Sequence, residues 1–473
     1  MASHLLFYRN KILLLMFGMG MLISCGKSSF LDKKPNTDFI VPTTLSDFQA
    51  LLDNDAVMGI TPNLGELSAD NYYLRDSFWL GLDARQHNAY IWLPGDGTVF
   101  YNGQGQQDDW DLPYKQVFYA NVVLDGLPKV KVDSSNEQTW KALKGAALFM
   151  RAYAFYNVAQ VFAPVYDSLS AATDMGIPLR LSPDVNVIST RATVKETYQQ
   201  ILADLDSALN LLPSAIPFAN RNRPSKPAVF AMLARVYLSM RAYGLAKVYA
   251  ESCLQLYSTL TDYNTVPTGT NFPFTVFEPE VIFQSSFLTS STQILVELFY
   301  PRCVVDSVLY SSYAPNDLRG RIFYRINSVG APNIRGSYTG NFYPFSGLAT
   351  DEVYLVRAEC LARAGQKDSA LTDLNLLLKN RWLNDGSFAP VVAASSVAAL
   401  DSILVERRKE LAFRGLRWTD LRRLNKEGAA IQLTRLLFGQ TYKLLPNSPL
   451  YVLPIPPDVI SLGEIQQNPR PAQ

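Results

Sequence analysis

The hydrophobic positions of this chain recur mainly at three- and four-residue steps, the spacing of one face of an α-helix. Trp140, Leu143, Ala147, Met150, Ala154, Val158 and Val161 mark such a face and predict a helix near 136–163. Ala146, Ala152 and Ala159 add small residues that let a neighbouring helix approach closely. Thr193-Val194-Lys195-Glu196 has the form of a capping box. It opens a helix with Tyr198, Ile201, Leu205, Ala208 and Leu212 as its apolar stripe and Pro213 as its stop. Two helical pairs follow, 226–240 with 243–257 and 350–364 with 367–380. Each joins an apolar helix to an alanine-bearing partner through a short turn. They look like one tetratricopeptide-like repeat used twice, and each pair leaves an apolar face that only another pair can cover. The expected fold is mostly α: a tetratricopeptide-like helical-hairpin scaffold with long irregular loop regions and a few short strands.

Two stretches break the helical period. Residues 54–109 are rich in Gly, Asp and aromatics, including Tyr72, Tyr73, Trp79, Tyr90, Trp92 and Tyr101. Residues 262–347 hold many Pro, Gly and Asn residues, β-like runs such as Val281-Ile282-Phe283, and Tyr310, Tyr313, Tyr324, Tyr338 and Tyr343. Segments of this length without regular structure are expected to be functional loops or extra lobes.

The beginning of the chain follows another rule. Arg9 and Lys11 precede an uncharged run from Ile12 to Ile23, too short to span a bilayer as a helix. Leu22-Ile23-Ser24-Cys25 closes it and resembles a bacterial lipobox, in which the cysteine is lipidated and the peptide is cut before it. Residues 1–24 then form a signal peptide, and Cys25 is the lipidation site. Each buried acyl CH₂ contributes roughly 0.8 kcal/mol, so several chains anchor the protein almost permanently.

Composition narrows the chemistry. The formal net charge of +1 argues against a nucleic-acid binder held by bulk electrostatics. Cys253, Cys303 and Cys360 are far apart and form no C-x-x-C pair, so neither a zinc site nor a disulfide framework is indicated. Removal of the signal leaves His87 as the only histidine, which disfavours a histidine triad or a multi-histidine metal site. No metal or cofactor is expected. Glu406, Glu410 and Asp420 could suggest a glycosidase pair. However, Glu406 and Glu410 sit among Arg407, Arg408, Lys409 and Arg414, where Glu410 can pair with Arg414 and Glu406 with Lys409. A structural salt-bridge net is the expected role, with no catalytic residue.

Aromatics make up 12% of the chain, and they concentrate outside the repeats. An aromatic face can cover the C–H face of a pyranose, while neighbouring amides, carboxylates and Arg bind its hydroxyls. Trp79 and Trp92 are the stacking candidates, with Tyr73 beside them and Arg75, Asp70 and Asn71 as polar partners. Tyr310, Tyr313 and Asn316 would complete the site from the other lobe.

Several runs together resemble the SusD/RagB family of outer-membrane nutrient-binding lipoproteins. They are Phe30 to Pro35, Gly145 to Gln160, Gly176 to Leu179, Arg191 to Pro213, Glu352 to Asn375, Glu406 to Arg423, Leu453 to Pro456 and Gln467 to Pro469. They occur in the family's order across nearly the whole mature chain. Arg414 departs from it, standing where the family usually carries an acidic residue. The resemblance implies an N-terminal region over 25–215 and a C-terminal region over 216–473, the latter interrupted by the irregular insertion 262–347. It also implies a non-catalytic receptor in the outer membrane, lipid-anchored and facing the cell surface. Such a receptor captures oligosaccharides, or in some members peptides, for a SusC-like TonB-dependent transporter. A periplasmic helical-repeat adaptor is the alternative reading, and it leaves the aromatic insertions unexplained.

Overall fold

A computed structural model describes residues 42–104, 107–288 and 302–472. Cys25 and the signal segment lie outside the described residues. Nine helices of ten residues or more build the scaffold among the described residues. They are α1 (Asp108–Gly126), α2 (Glu137–Phe162), α3 (Val194–Leu209), α4 (Lys226–Ser239), α5 (Tyr243–Leu256), α6 (Thr350–Arg363), α7 (Lys367–Lys379), α8 (Ser396–Glu410) and α9 (Arg417–Lys426). None is long and apolar enough to cross a membrane.

Successive helices pack on one another: α1 on α2, α2 on α3, α4 on α5, α5 on α6, and α6 on both α7 and α8. The fold is a stack of helical hairpins, as the apolar periodicity requires. The predicted boundaries of α2 and of α4 to α7 agree with the structure to within about two residues, whereas α3 ends at Leu209, short of the predicted stripe residue Leu212. Thr193 caps α3: its hydroxyl accepts from the Glu196 N–H, and the Glu196 carboxylate returns a bond to the Thr193 N–H. Gly145 lets α2 approach the end of α3, because a Cβ there would sit 2.8 Å from Leu212 Cγ. The two repeat pairs also share one turn geometry. Arg241 and Gly365, both at positive φ, end α4 and α6. In each case the next residue's N–H reaches back to a carbonyl five residues earlier, Ala242 to Tyr237 and Gln366 to Leu361.

The stretch 54–109 is a correction. It is not irregular but a run of short helices, Asp55–Met58, Leu64–Ser68, Asp76–Leu80, Ala84–Tyr90 and Gly97–Phe100, leading into α1. Helices of four to seven residues are too short to display a periodic stripe, and two of the aspartates in this stretch are caps. Asp83 accepts from the Gln86 N–H, and Asp96 from those of Thr98 and Val99.

The insertion carries the strand at Val281–Phe283 and is sewn to this early stretch by backbone pairing. Ile60–Thr61 runs parallel to Ser286–Phe287, and Tyr72–Leu74 runs antiparallel to Cys303–Val305. Near the end, Leu433–Leu437 and Gln440–Leu444 form an antiparallel hairpin.

A buried ionic network fixes the insertion to the repeats. Arg381, just after α7, donates Nε to Glu410 at 2.7 Å and Nη2 to both oxygens of Glu280 at 2.8 and 2.9 Å. Arg319 of the insertion reaches Asp317, Glu406 and Glu410. Arg414 pairs with Asp351 at 2.9 Å. The expected Glu406–Lys409 pair forms at 2.8 Å. The expected Glu410–Arg414 pair does not, because α8 ends at Glu410 and left-handed Phe413 and Gly415 turn the chain away from the helix.

Candidate functional site

An open groove of about 710 Å³ lies between the 72–80 segment and the 433–444 hairpin. Tyr73, Leu74, Arg75, Asp76, Leu80 and Tyr90 line one side, and Thr434, Arg435, Leu436 and Phe438 the other. Four of these expose apolar surface: Tyr73 at 43%, Leu80 at 62%, Leu436 at 65% and Phe438 at 59%. Arg75 is also exposed.

The two walls are pinned together from beneath. Strand 433–437 alternates buried and exposed positions, so Arg435 turns inward while Thr434 and Leu436 face out. The Arg435 guanidinium donates to the carbonyls of Tyr72 and Ala69 and lies over the Tyr90 ring at 4.3 Å. The Phe438 N–H donates to Asp76 Oδ2 at 3.1 Å. The Tyr90 hydroxyl accepts from the Leu74 N–H at 2.9 Å. The groove is therefore a rigid surface, the property that preformed ligand sites share.

Of the nine candidate ligand residues, the structure brings Tyr73 and Arg75 into this groove. Trp92 is a correction: it is 1% exposed, donates Nε1 to the Ser68 carbonyl, and packs beneath Arg435 with neither face open. Trp79 is also buried, stacked on His87 at 3.5 Å and donating Nε1 to the His87 carbonyl. Asn71 is fully buried and donates to Glu66. Asp70 is held by a two-pronged bond from Arg417 at 2.7 and 2.8 Å. Burial opposes its ionisation, but Arg417, Arg408 and Arg435 outweigh burial and hold its carboxyl below the usual range.

Tyr310, Tyr313 and Asn316 do not line the groove. Tyr310 and Tyr313 pack on Tyr324, and the Tyr313 hydroxyl donates to the Lys409 carbonyl. Asn316 donates to Ser387. The groove residues missed by the sequence reading include Ser77, Leu80, Thr434, Leu436 and Phe438. The alternation Leu433, Arg435, Leu437 before a glycine was the available sign of a strand entering a turn.

A more enclosed cavity of about 390 Å³ contains none of the candidates. Its lining includes Met175, Arg422, Tyr451 and Pro469, and Arg422 already serves the end of α2 by donating to the carbonyls of Gln160 and Ala163. The carboxylates of Glu280, Asp351 and Glu410 converge within 4.8 Å. All three are occupied by guanidinium groups of Arg381, Arg414 and Arg319, which a metal ion would have to displace.

Two family models match the chain. One, described as starch-binding and associating with the outer membrane, covers residues 29–238; the other, the SusD family, covers 350–470. The chain is 24% identical to SusD-like protein P2 of Formosa agariphila, over 76% of this chain and 79% of that protein. It is 22% identical to SusD-like protein P38 of the same organism, over 87% and 90%. A SusD superfamily structure from Bacteroides vulgatus superposes with a TM-score of 0.70 at 21% identity, covering 90% of this chain and 99% of that one. A laminarin-binding SusD-like protein superposes with a TM-score of 0.65 at 18% identity, covering 90% and 98%. With the helical-hairpin architecture and both family matches in their expected order, this chain belongs to the SusD/RagB family.

Proposed function

We propose that this chain is a non-catalytic carbohydrate-binding lipoprotein of the outer membrane. It is anchored through Cys25, faces the cell surface, and captures oligosaccharides for a SusC-like TonB-dependent transporter. The observation that carries this reading is the groove, where Tyr73, Leu80, Leu436 and Phe438 expose apolar surface on a pinned frame. Such surfaces cover the C–H face of a sugar ring, and Arg75, Ser77 and Thr434 supply polar groups for its hydroxyls. The family's starch-binding description and the laminarin-binding relative support the same ligand class. The non-catalytic part rests on Glu406 and Glu410, each held in ion pairs with arginine or lysine rather than facing the groove.

Isothermal titration of the mature protein with starch and laminarin oligosaccharides tests the reading. Affinity in the micromolar to millimolar range is expected for an open site with few stacking contacts. Tyr73→Ala should cost about 1–3 kcal/mol, a roughly tenfold to hundredfold weakening, without a change in melting temperature. A Tyr73→Ala variant that binds like wild type would refute the placement, and release of shorter sugars by the wild type would refute the absence of catalysis.

A further inference from the structure

The hairpin that forms one wall of the groove closes through a two-residue loop, Phe438-Gly439, between the paired residues Leu437 and Gln440. Both loop residues have positive φ, 48° at Phe438 and 78° at Gly439. This is the backbone of a type I′ turn, whose first position favours Asn, Asp or Gly. A bulky side chain there is strained, and strain of this kind persists where the surroundings impose it.

Burial does not compensate for the strain, because Phe438 is 59% exposed. Its ring lies 6.4 Å from Trp79 in a tilted contact, leaving most of its surface in solvent. Nor is the tip loose. The Phe438 N–H is held by Asp76, and Arg435 ties the strand to the Tyr72 and Ala69 carbonyls. The turn thus presents an aromatic ring at a fixed position beside Leu436, Leu80 and Tyr73.

We infer that Phe438 is the stacking residue at the tip of this hairpin, taking the C–H face of a sugar ring opposite Tyr73. The turn carries an aromatic residue for that contact and not for the stability of the hairpin. This inference rests on the reading of the groove as a carbohydrate site.

Two variants test it, Phe438→Asn and Phe438→Tyr, each measured by thermal melting and by titration with starch and laminarin oligosaccharides. Asparagine suits the left-handed position, so Phe438→Asn should melt about 1–2 °C higher than wild type. The same variant should bind at least tenfold more weakly, while Phe438→Tyr keeps wild-type affinity and melting. A lower melting temperature for Phe438→Asn overturns the inference, since the ring would then act as a cover for Trp79. Unchanged affinity of Phe438→Asn, with Tyr73→Ala weakened, overturns this inference alone. A wild-type protein that binds none of these oligosaccharides overturns the carbohydrate reading and this inference with it.

Discussion

Arg381 is the most informative single position for the stability of the fold. Its guanidinium is fully buried between Glu280 and Glu410, which are equally buried, and its Nη1 donates to the Thr261 carbonyl at 2.9 Å. Replacement by methionine keeps an apolar stem of similar reach but removes the charge that these two carboxylates share. Removing one partner of a buried ion pair costs about 3–5 kcal/mol. The upper part of that range applies, since two carboxylates and a carbonyl lose their donor together. Glu410 keeps Arg319, and Glu280 keeps the Tyr338 hydroxyl at 3.0 Å, so neither is wholly orphaned. At about 2.1 cal/mol/K of unfolding entropy per residue, a body of about 430 residues shifts by about 1 °C per kcal/mol. Arg381→Met should therefore lower Tm by about 4–5 °C in calorimetry. The network also predicts non-additivity. Burial already pushes the Glu280 carboxyl up, with Arg381 opposing and Asp351 and Glu410 adding to it. Adding Glu280→Gln to Arg381→Met removes the stranded charge, so the double variant should be less destabilised than the sum of the singles by at least about 1 kcal/mol. Strict additivity would show that Arg381 and Glu280 are not coupled, and a Tm within 1 °C of wild type would show that these contacts carry no net energy.

Two further outcomes follow from buried groups. Burial pushes the Glu66 carboxyl from 4.5 up to about 7, against hydrogen bonds from Asn71 and the Gly415 N–H. The folded state then holds a proton that the unfolded chain releases, so the contribution of Glu66 to stability is fully present below pH 4.5 and is lost as pH rises to 7. Wild type should lose about 3 kcal/mol relative to Glu66→Gln across that window; parallel Tm–pH curves for the two proteins would contradict the assignment. Trp92→Ala empties a core position and should cost about 3–5 kcal/mol while leaving oligosaccharide affinity unchanged at low temperature. A variant that melts normally but no longer binds would restore Trp92 as a ligand residue.

The helical scaffold was legible because α2 to α7 are long enough to repeat an apolar stripe, and because Thr193 and Glu196 spell a cap in four letters. The short helices of 55–100 were not, since a five-residue helix such as Leu64–Ser68 is buried on all sides and shows no alternation. Ion pairs were legible only when local. Glu406 and Lys409 share a helix, whereas the partners of Glu410 lie 29 and 91 residues away. Aromatic composition pointed to one wall of the candidate groove, with Tyr73 and Arg75, but not to Leu80 or to the opposite wall at Leu436 and Phe438. Trp92 and Tyr73 are equally plausible rings in sequence, and their roles are decided by the inward turn of Arg435, a residue of a strand more than 340 positions later. The Phe438-Gly439 turn was masked for a physical reason as well: its first residue is one that the turn disfavours.

The strand pairing described above has a consequence for the order in which the molecule is completed. Tyr72–Leu74 finds its partner only at Cys303–Val305, and the opposite wall of the groove is supplied by residues near 435. Contacts so distant along the chain carry a large loop-closure entropy and form slowly, whereas the helical hairpins α4–α5 and α6–α7 close between neighbours. The hairpins can fold as they emerge from synthesis, but the groove cannot exist until nearly the entire chain is present. A chain interrupted before residue 433 would keep much of its helix content and have no groove wall for Tyr73 to face, so secondary structure and ligand capture are separable events in its maturation.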